Sequence, residues 1–163
     1  MALSAKELHV RRILDTWGDS MYRLACSYLH NEMDAQEIVM DAVIQLLRYD
    51  PDFGGEAGKE KGWLMKTVAN LSRNRLRSAK AHPQEEFDER VFSGESQDLR
   101  YVWDAVNELP VRYREVIHLF YQEDYSTGEI AQIVGRREGT VRSDLTRARK
   151  ELKAILKENY DFE

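Results

Sequence analysis

The sequence predicts an all-α chain: two small helical domains joined by a flexible acidic linker, with a helix-turn-helix in the second domain. Three observations carry that prediction. Apolar residues recur with helical spacing along most of the chain, and no run alternates apolar and polar side chains as a half-buried strand does. The segment 84–108 inverts the local charge, with eight acidic side chains against two basic ones, and its first half carries Ser93, Gly94 and Ser96 shortly after Pro83. The segment 126–149 sets an apolar helical stripe and a basic amphipathic one on either side of Gly135. At 163 residues the chain suits one ordinary domain or two small ones, so a single bundle with an exposed acidic loop is the competing architecture.

The first domain is expected over residues 1–80. Leu8, Ile13, Leu14, Trp17, Met21, Leu24, Ala25 and Tyr28 mark its first helix, which Gly18 is expected to interrupt or kink. Residues 31–34 read as a turn. Asp34 followed by Glu37 has the spacing of a cap for a second helix, whose apolar stripe is Ile38, Val39, Ala42, Val43, Leu46 and Leu47. Pro51 ends that helix, and residues 51–62 form a glycine-rich loop. A third helix runs from about Trp63 to Ala79, with Leu64, Val68, Leu71 and Leu76 facing the core. Between residues 63 and 80 the charged residues are Lys66, Arg73, Arg75, Arg77 and Lys80, with no acid among them. The acidic linker covers residues 81–98.

The second domain, residues 99–163, holds the most informative stretch. Residues 126–149 read as two short helices with a tight turn, followed by a basic helix. Ser126 and Glu129 have capping-box spacing, Ile130, Ile133 and Val134 form one apolar face, and Gly135 stands where the chain must reverse. The next helix puts Val141, Leu145, Ala148, Leu152 and Ile155 on one side and Arg142, Ser143, Thr146 and Arg149 on others. Such a wet face suits a major groove, where Arg reaches guanine edges and hydroxyls reach phosphates. Residues 126–150 carry six basic and three acidic side chains although the whole chain has a net charge of −5. By periodicity alone, a solvated face of an ordinary bundle fits equally well.

Other classes have little support. His9, His30, His82 and His118 are scattered and Cys26 is the lone cysteine, so neither a metal-ligand cluster nor a disulfide framework is expected. Cys26 reads as a buried structural thiol and fits a reducing cytoplasm. The glycines form no phosphate-cradling motif. The first residues are too charged for a secretory signal, and no apolar run approaches membrane-spanning length.

Three stretches resemble bacterial RNA polymerase sigma factors. Residues 109–152, beginning LPVRYREVIHLFYQEDYSTGEIAQIVG, closely resemble region 4; residues 22–48 resemble the core-polymerase-binding part of region 2, and residues 62–78 its promoter-melting part. Regions 2 and 4 on one short tether are similar to the layout of the extracytoplasmic-function group. The resemblance implies a detachable, non-catalytic subunit with no cofactor, partnered by core RNA polymerase, promoter DNA and an anti-sigma protein, and not inserted in a membrane.

It also implies site residues. Asp34, Gln36, Glu37, Ile38, Asp41 and Gln45 match the surface that docks on the clamp of the polymerase largest subunit. Trp63, Lys66, Asn70, Arg73, Asn74 and Arg77 match the minus-ten surface, and residues 54–62 match the segment forming a pocket for a flipped base. Arg137, Glu138, Thr140, Arg142, Ser143 and Arg147 match the minus-thirty-five contacts. Met40 and Val43 stand where the family often has Gln and Phe, and Asn74 where many relatives carry Asp. Arg136 replaces a common apolar residue of the turn, Arg137 a common Pro or Ser, and Asp144 a common basic residue. The Asp144 carboxylate is expected to face a DNA phosphate and oppose binding; the alternatives are that it faces a base edge or pairs internally with Arg142 or Arg147. Rival classes are a helix-turn-helix regulator acting without polymerase, an enzyme acting on nucleic acid, and a helical protein-binding adaptor.

Overall fold

The computed structural model describes residues 2–78, 80–84 and 100–160; the described residues contain no strand and fall into two units, residues 1–84 and 85–163. Most of the expected linker, residues 85–98, lies outside the described residues.

The first unit is three helices, each packed on the other two: α1 (Ala5–Leu29), α2 (Glu32–Tyr49) and α3 (Ala57–Arg77). Helix α1 starts at a capping box in which Ser4 Oγ accepts from the Glu7 amide and the Glu7 carboxylate accepts from the Ser4 amide. It runs through Gly18 as one helix, so the expected interruption does not occur. Tertiary packing outweighs the modest cost of one helical glycine. Ile13, Met21, Leu24 and Leu64 are fully buried, and each such side chain contributes roughly 1.5–3 kcal/mol. Leu8 is exposed, outside this core.

Helix α2 is capped by Asn31, whose side chain accepts from the Asp34 amide, and not by Asp34. The cap falls three residues earlier than the sequence suggests because the Asp34 carboxylate is used elsewhere. Helix α3 begins at Ala57, six residues before the expected Trp63. The extra turns are held from outside: Glu60 accepts two bonds from the Arg12 guanidinium, at 2.9 and 3.0 Å, and one from Trp17 Nε1 at 2.8 Å. The glycine-rich loop is therefore short, and its reversal falls at Gly54 and Gly55, both with positive φ.

The second unit contains α4 (Arg100–Asn107), α5 (Val111–Ile117) continuing into a π-helical turn (His118–Gln122), α6 (Thr127–Val134) and α7 (Glu138–Tyr160). The capping box of Ser126 and Glu129 forms, and Gly135 adopts the left-handed conformation with φ 73°. The second helix of the motif and the basic helix after it are one continuous 23-residue α7, not two elements. Ile130, Ile133, Val134, Val141, Leu145 and Ala148 close the core between α6, α7 and the elements before them.

Candidate functional site

Helix α2 offers the first surface. Its buried face is Ala35, Ile38, Val39, Ala42, Val43 and Leu46, packed on α1 and α3. The opposite face carries Met33, Met40 and Ile44, which are 58%, 45% and 47% exposed. Gln36 and Glu37 are exposed beside that stripe, and Asp41 and Gln45 are half-buried on its flank. An apolar strip with an acidic and amide rim is thus presented to solvent.

Two of the six expected docking residues are not on it. Ile38 is core, because its register places it with Ala42 and Val39. Asp34 is fully buried. Arg75 Nη1 donates to its carboxylate at 2.9 Å and also to Glu37 at 3.0 Å, and the His82 backbone amide donates to it at 2.8 Å. The His82 ring contacts it through Nδ1. Burial pushes the Asp34 carboxyl up, but the bonds from His82 and the charge of Arg75 outweigh it and hold it below the ordinary value. Asn31 also donates to the Pro83 carbonyl at 3.1 Å, so the chain after α3 is anchored to the first unit at His82 and Pro83, residues expected in the linker. Sequence reasoning missed Met33, Met40 and Ile44; their spacing of seven and four residues was the available signal.

Helix α3 presents the second surface. Trp63, Lys66, Asn70, Arg73 and Arg77 are three or four residues apart, Asn74 adjoins Arg73, and all six lie on one face, exposed or half-buried. Leu64, Met65, Val68, Ala69 and Ser72 face inward, while Leu71 and Leu76 are half-buried. Trp63 meets Phe53 edge-to-face, with ring centroids 6.4 Å apart. Arg73 donates to the Asn70 side-chain oxygen at 3.3 Å, so these two polar groups are coupled. Arg75 leaves the basic face, since its guanidinium is committed to Asp34 and Glu37. At the start of the helix, Phe53, Gly55, Glu56 and Glu60 line a cleft with His9 and Arg12. Of the segment 54–62, residues from Ala57 onward are helical, so only its first residues are loop.

Helix α7 presents the third. Arg137, Glu138, Arg142, Ser143 and Arg147 are exposed and Thr140 is half-buried. Gly139, Arg142, Ser143, Thr146 and Arg147 line one shallow groove, bringing together three of the expected residues and adding Gly139 and Thr146. Glu138 accepts from Thr127 Oγ1 at 2.8 Å and so ties the two helices of the motif. Arg149 is engaged on the side: it donates to Tyr121 Oη at 2.7 Å and lies over the Phe120 and Tyr121 rings.

Asp144 corrects an expectation. It is fully buried and faces no groove. Arg112 Nε donates to both of its oxygens at 3.1 Å and Arg136 Nη1 to one of them at 2.9 Å. Arg136 also bonds the buried Glu115. Neither Arg142 nor Arg147 supplies these bonds. The apolar stripe Val141, Leu145 and Ala148 sets the inward face of α7, and position 144 falls on it.

Comparisons with known proteins decide what these surfaces belong to. Residues 13–82 match Sigma-70 region 2 and residues 99–152 match Sigma-70 region 4. The chain is 31% identical over 151 residues to RNA polymerase sigma factor SigV of Bacillus subtilis, covering 90% of each protein. The chain belongs to the RNA polymerase sigma factor family. It is also 30% identical over 141 residues to the ECF RNA polymerase sigma factor SigM of Mycobacterium tuberculosis, covering 83% of this chain and 71% of that one. The sigma factor RpoE of Bartonella quintana, solved with the anti-sigma factor NepR, has the same fold, with a TM-score of 0.68 at 22% identity over 91% of this chain and 97% of that one. So does CnrH, solved with the cytosolic domain of CnrY, with a TM-score of 0.67 at 23% identity over 92% and 88%. This sigma factor binds core RNA polymerase and directs transcription initiation at promoters. A helix-turn-helix regulator acting without polymerase is not favoured, because the region 2 match covers residues 13–82 of the first unit.

Proposed function

We propose that the three faces divide the work of a group-type extracytoplasmic-function sigma factor. The α2 face, with Met33, Met40 and Ile44 at its centre and Gln36, Glu37, Asp41 and Gln45 around it, docks on the clamp of the polymerase largest subunit. The apolar strip supplies affinity, and the acidic rim orients a basic partner. The α3 face holds the minus-ten element: Lys66, Arg73 and Arg77 meet phosphates, Asn70 and Asn74 offer amide edges to bases, and Trp63 packs on Phe53, which lines the cleft for an extruded base. The α7 face enters the major groove at minus thirty-five, with Arg137, Glu138, Thr140, Arg142, Ser143 and Arg147 in or beside the contacts. Residues 1–80 and 99–163 are the two functional modules and residues 81–98 their acidic tether. The work is recruitment and strand opening, with no catalytic step and no cofactor. It takes place in the cytoplasm, and no helix among the described residues is long and apolar enough to cross a membrane. The solved relatives bound to an anti-sigma factor support a protein antagonist here that covers one or more of these faces.

The observation that carries this reading is the α3 face, where six side chains at helical spacing are available to solvent on a helix whose other side is core. The experiment is promoter opening by core polymerase plus this protein. Asn70→Ala and Arg77→Ala are expected to assemble with core normally by gel filtration yet lose permanganate reactivity of promoter thymines. Parallel loss of assembly and opening counts against the assignment.

A further inference from the structure

Two departures of this chain from its family pattern, a basic residue in the turn at Arg136 and an acid on the inward face of α7 at Asp144, are the two ends of one contact. The Arg136 guanidinium lies between two carboxylates, Asp144 on α7 and Glu115 on α5, and bonds each through a different nitrogen. Both acids are buried, the Arg136 side chain is 14% exposed, and Arg112 closes the group from the N-terminal turn of α5. Two cations thus meet two anions. The residue that spans them sits in the turn of the helix-turn-helix, directly after Gly135.

We propose that Arg136 and Asp144 are positioning residues that act as one unit: they fix the seat of α7 against α5, and hence the way its outer face meets DNA, and they can be exchanged together but not singly. The physical reason is the asymmetry of buried charge. Removing Arg136 takes one of its two guanidinium partners from the buried Asp144 and its bond from Glu115, and removing Asp144 leaves Arg112 and Arg136 facing one acid; either change unbalances buried charge, whereas the complete group adds little net stability but selects one arrangement. A planar guanidinium also holds two carboxylates in one fixed fork, a geometry that the rotatable donors of an ammonium do not impose. Since Glu115 and Asp144 are bridged by the same guanidinium, a long cationic side chain at position 144 reaches Glu115 directly. The cation between α5 and α7 is thereby deliverable from either position.

The proposal rests on α7 reading the minus-thirty-five element. Full-length protein is assembled with core polymerase and challenged with a pool of promoter fragments randomised at minus thirty-five, for the wild type and for Arg136→Leu, Asp144→Arg, their double variant and Arg136→Lys. Thermal unfolding is followed alongside. Each single change is expected to weaken selection of the preferred minus-thirty-five sequences by about tenfold or more, the scale of one mismatched base pair. The double variant, with the cation moved to position 144, is expected to recover most of it. Arg136→Lys keeps the charge and is expected to keep the unfolding temperature while losing selection. Additive losses in the double variant, or selection by Arg136→Lys equal to the wild type, overturn the proposal. A wild type that selects nothing at minus thirty-five while still selecting at minus ten overturns the reading of α7 itself, and the proposal with it.

Discussion

Asp34 and Asp144 show how far one carboxylate can mislead. Each stands at a position where a solvent-facing acid has an obvious use, one on a docking rim and one near phosphate. Each is instead fully buried and bonded to arginine from another helix, Arg75 for Asp34 and Arg112 for Asp144. For Asp34 the consequence is pH dependence. Its folded pKa is depressed, so its contribution to stability is complete above the ordinary value of 3.8 and is lost as pH falls through the lower folded value. Glu60 behaves the same way, held low first by its bonds from Arg12 and then by Trp17, against the effect of burial. Acid unfolding of the first unit is therefore expected to steepen below about pH 4, and Asp34→Asn with Glu60→Gln to flatten it. Urea titrations at several pH values check this; identical pH slopes for wild type and variant refute it. For Asp144, Asp144→Arg alone is expected to weaken minus-thirty-five DNA binding and destabilise the second unit by roughly 3 kcal/mol or more, because it sets a third cation beside Arg112 and Arg136. Tighter binding by that variant in a salt series would restore the phosphate-facing alternative.

On the scale of a helix, the useful division is between the face that packs and the face left over. In α2 the packing face takes Ile38, and the free face keeps Met33, Met40 and Ile44. Met40→Glu is expected to weaken core-polymerase binding by roughly 2 kcal/mol or more, as central apolar contacts do, while helicity and unfolding temperature hold. Ile38→Ala is expected to do the reverse, costing about 2–5 kcal/mol of stability and changing binding only through the folded fraction. A polymerase titration paired with thermal unfolding separates the two; an unaffected affinity for Met40→Glu means that the strip serves something else. Helix α3 shows the same sorting among its cations. Arg75 turns to Asp34 and Glu37, while Lys66 and Arg77 remain exposed to solvent. Helix α7 commits Arg149 to an aromatic pair and leaves Arg142 and Arg147 on the groove.

For the whole molecule, two units carry separate surfaces on one chain, and the physical gain is effective concentration. A first contact with polymerase and minus-ten DNA holds the second unit near its own site. A protease site introduced at Gly94 tests this. After cleavage in the assembled complex, polymerase binding through α2 is expected to persist, while promoter affinity falls by at least about a hundredfold. Unchanged affinity after cleavage would mean that the tether contributes nothing. The net charge of −5 opposes, by long-range repulsion, binding of the free protein to DNA, so the free protein is expected to bind promoter DNA more weakly than its complex with polymerase does, which a gel-shift titration with and without core checks.

The sequence by itself determined the all-α class, the two-unit division, the helix-turn-helix and the family. These follow from near-neighbour rules: apolar residues at helical spacing, the Ser126–Glu129 box, glycine at a left-handed turn, and motifs in order along one chain. The six residues that the family resemblance marks on α3 are exposed or half-buried on one side of that helix. Tertiary structure alone decided what became of individual charges. Whether Asp34, Arg75, Arg136 or Asp144 meets water, a partner or another helix depends on groups 41 residues away in one pair, 21 and 32 in two others and 8 across the turn in a fourth, none of them a spacing that helical periodicity reports. The start of α3 was settled the same way. Its local sequence is glycine-rich, and only the grip of Arg12 and Trp17 on Glu60, 48 and 43 residues distant, makes it helix.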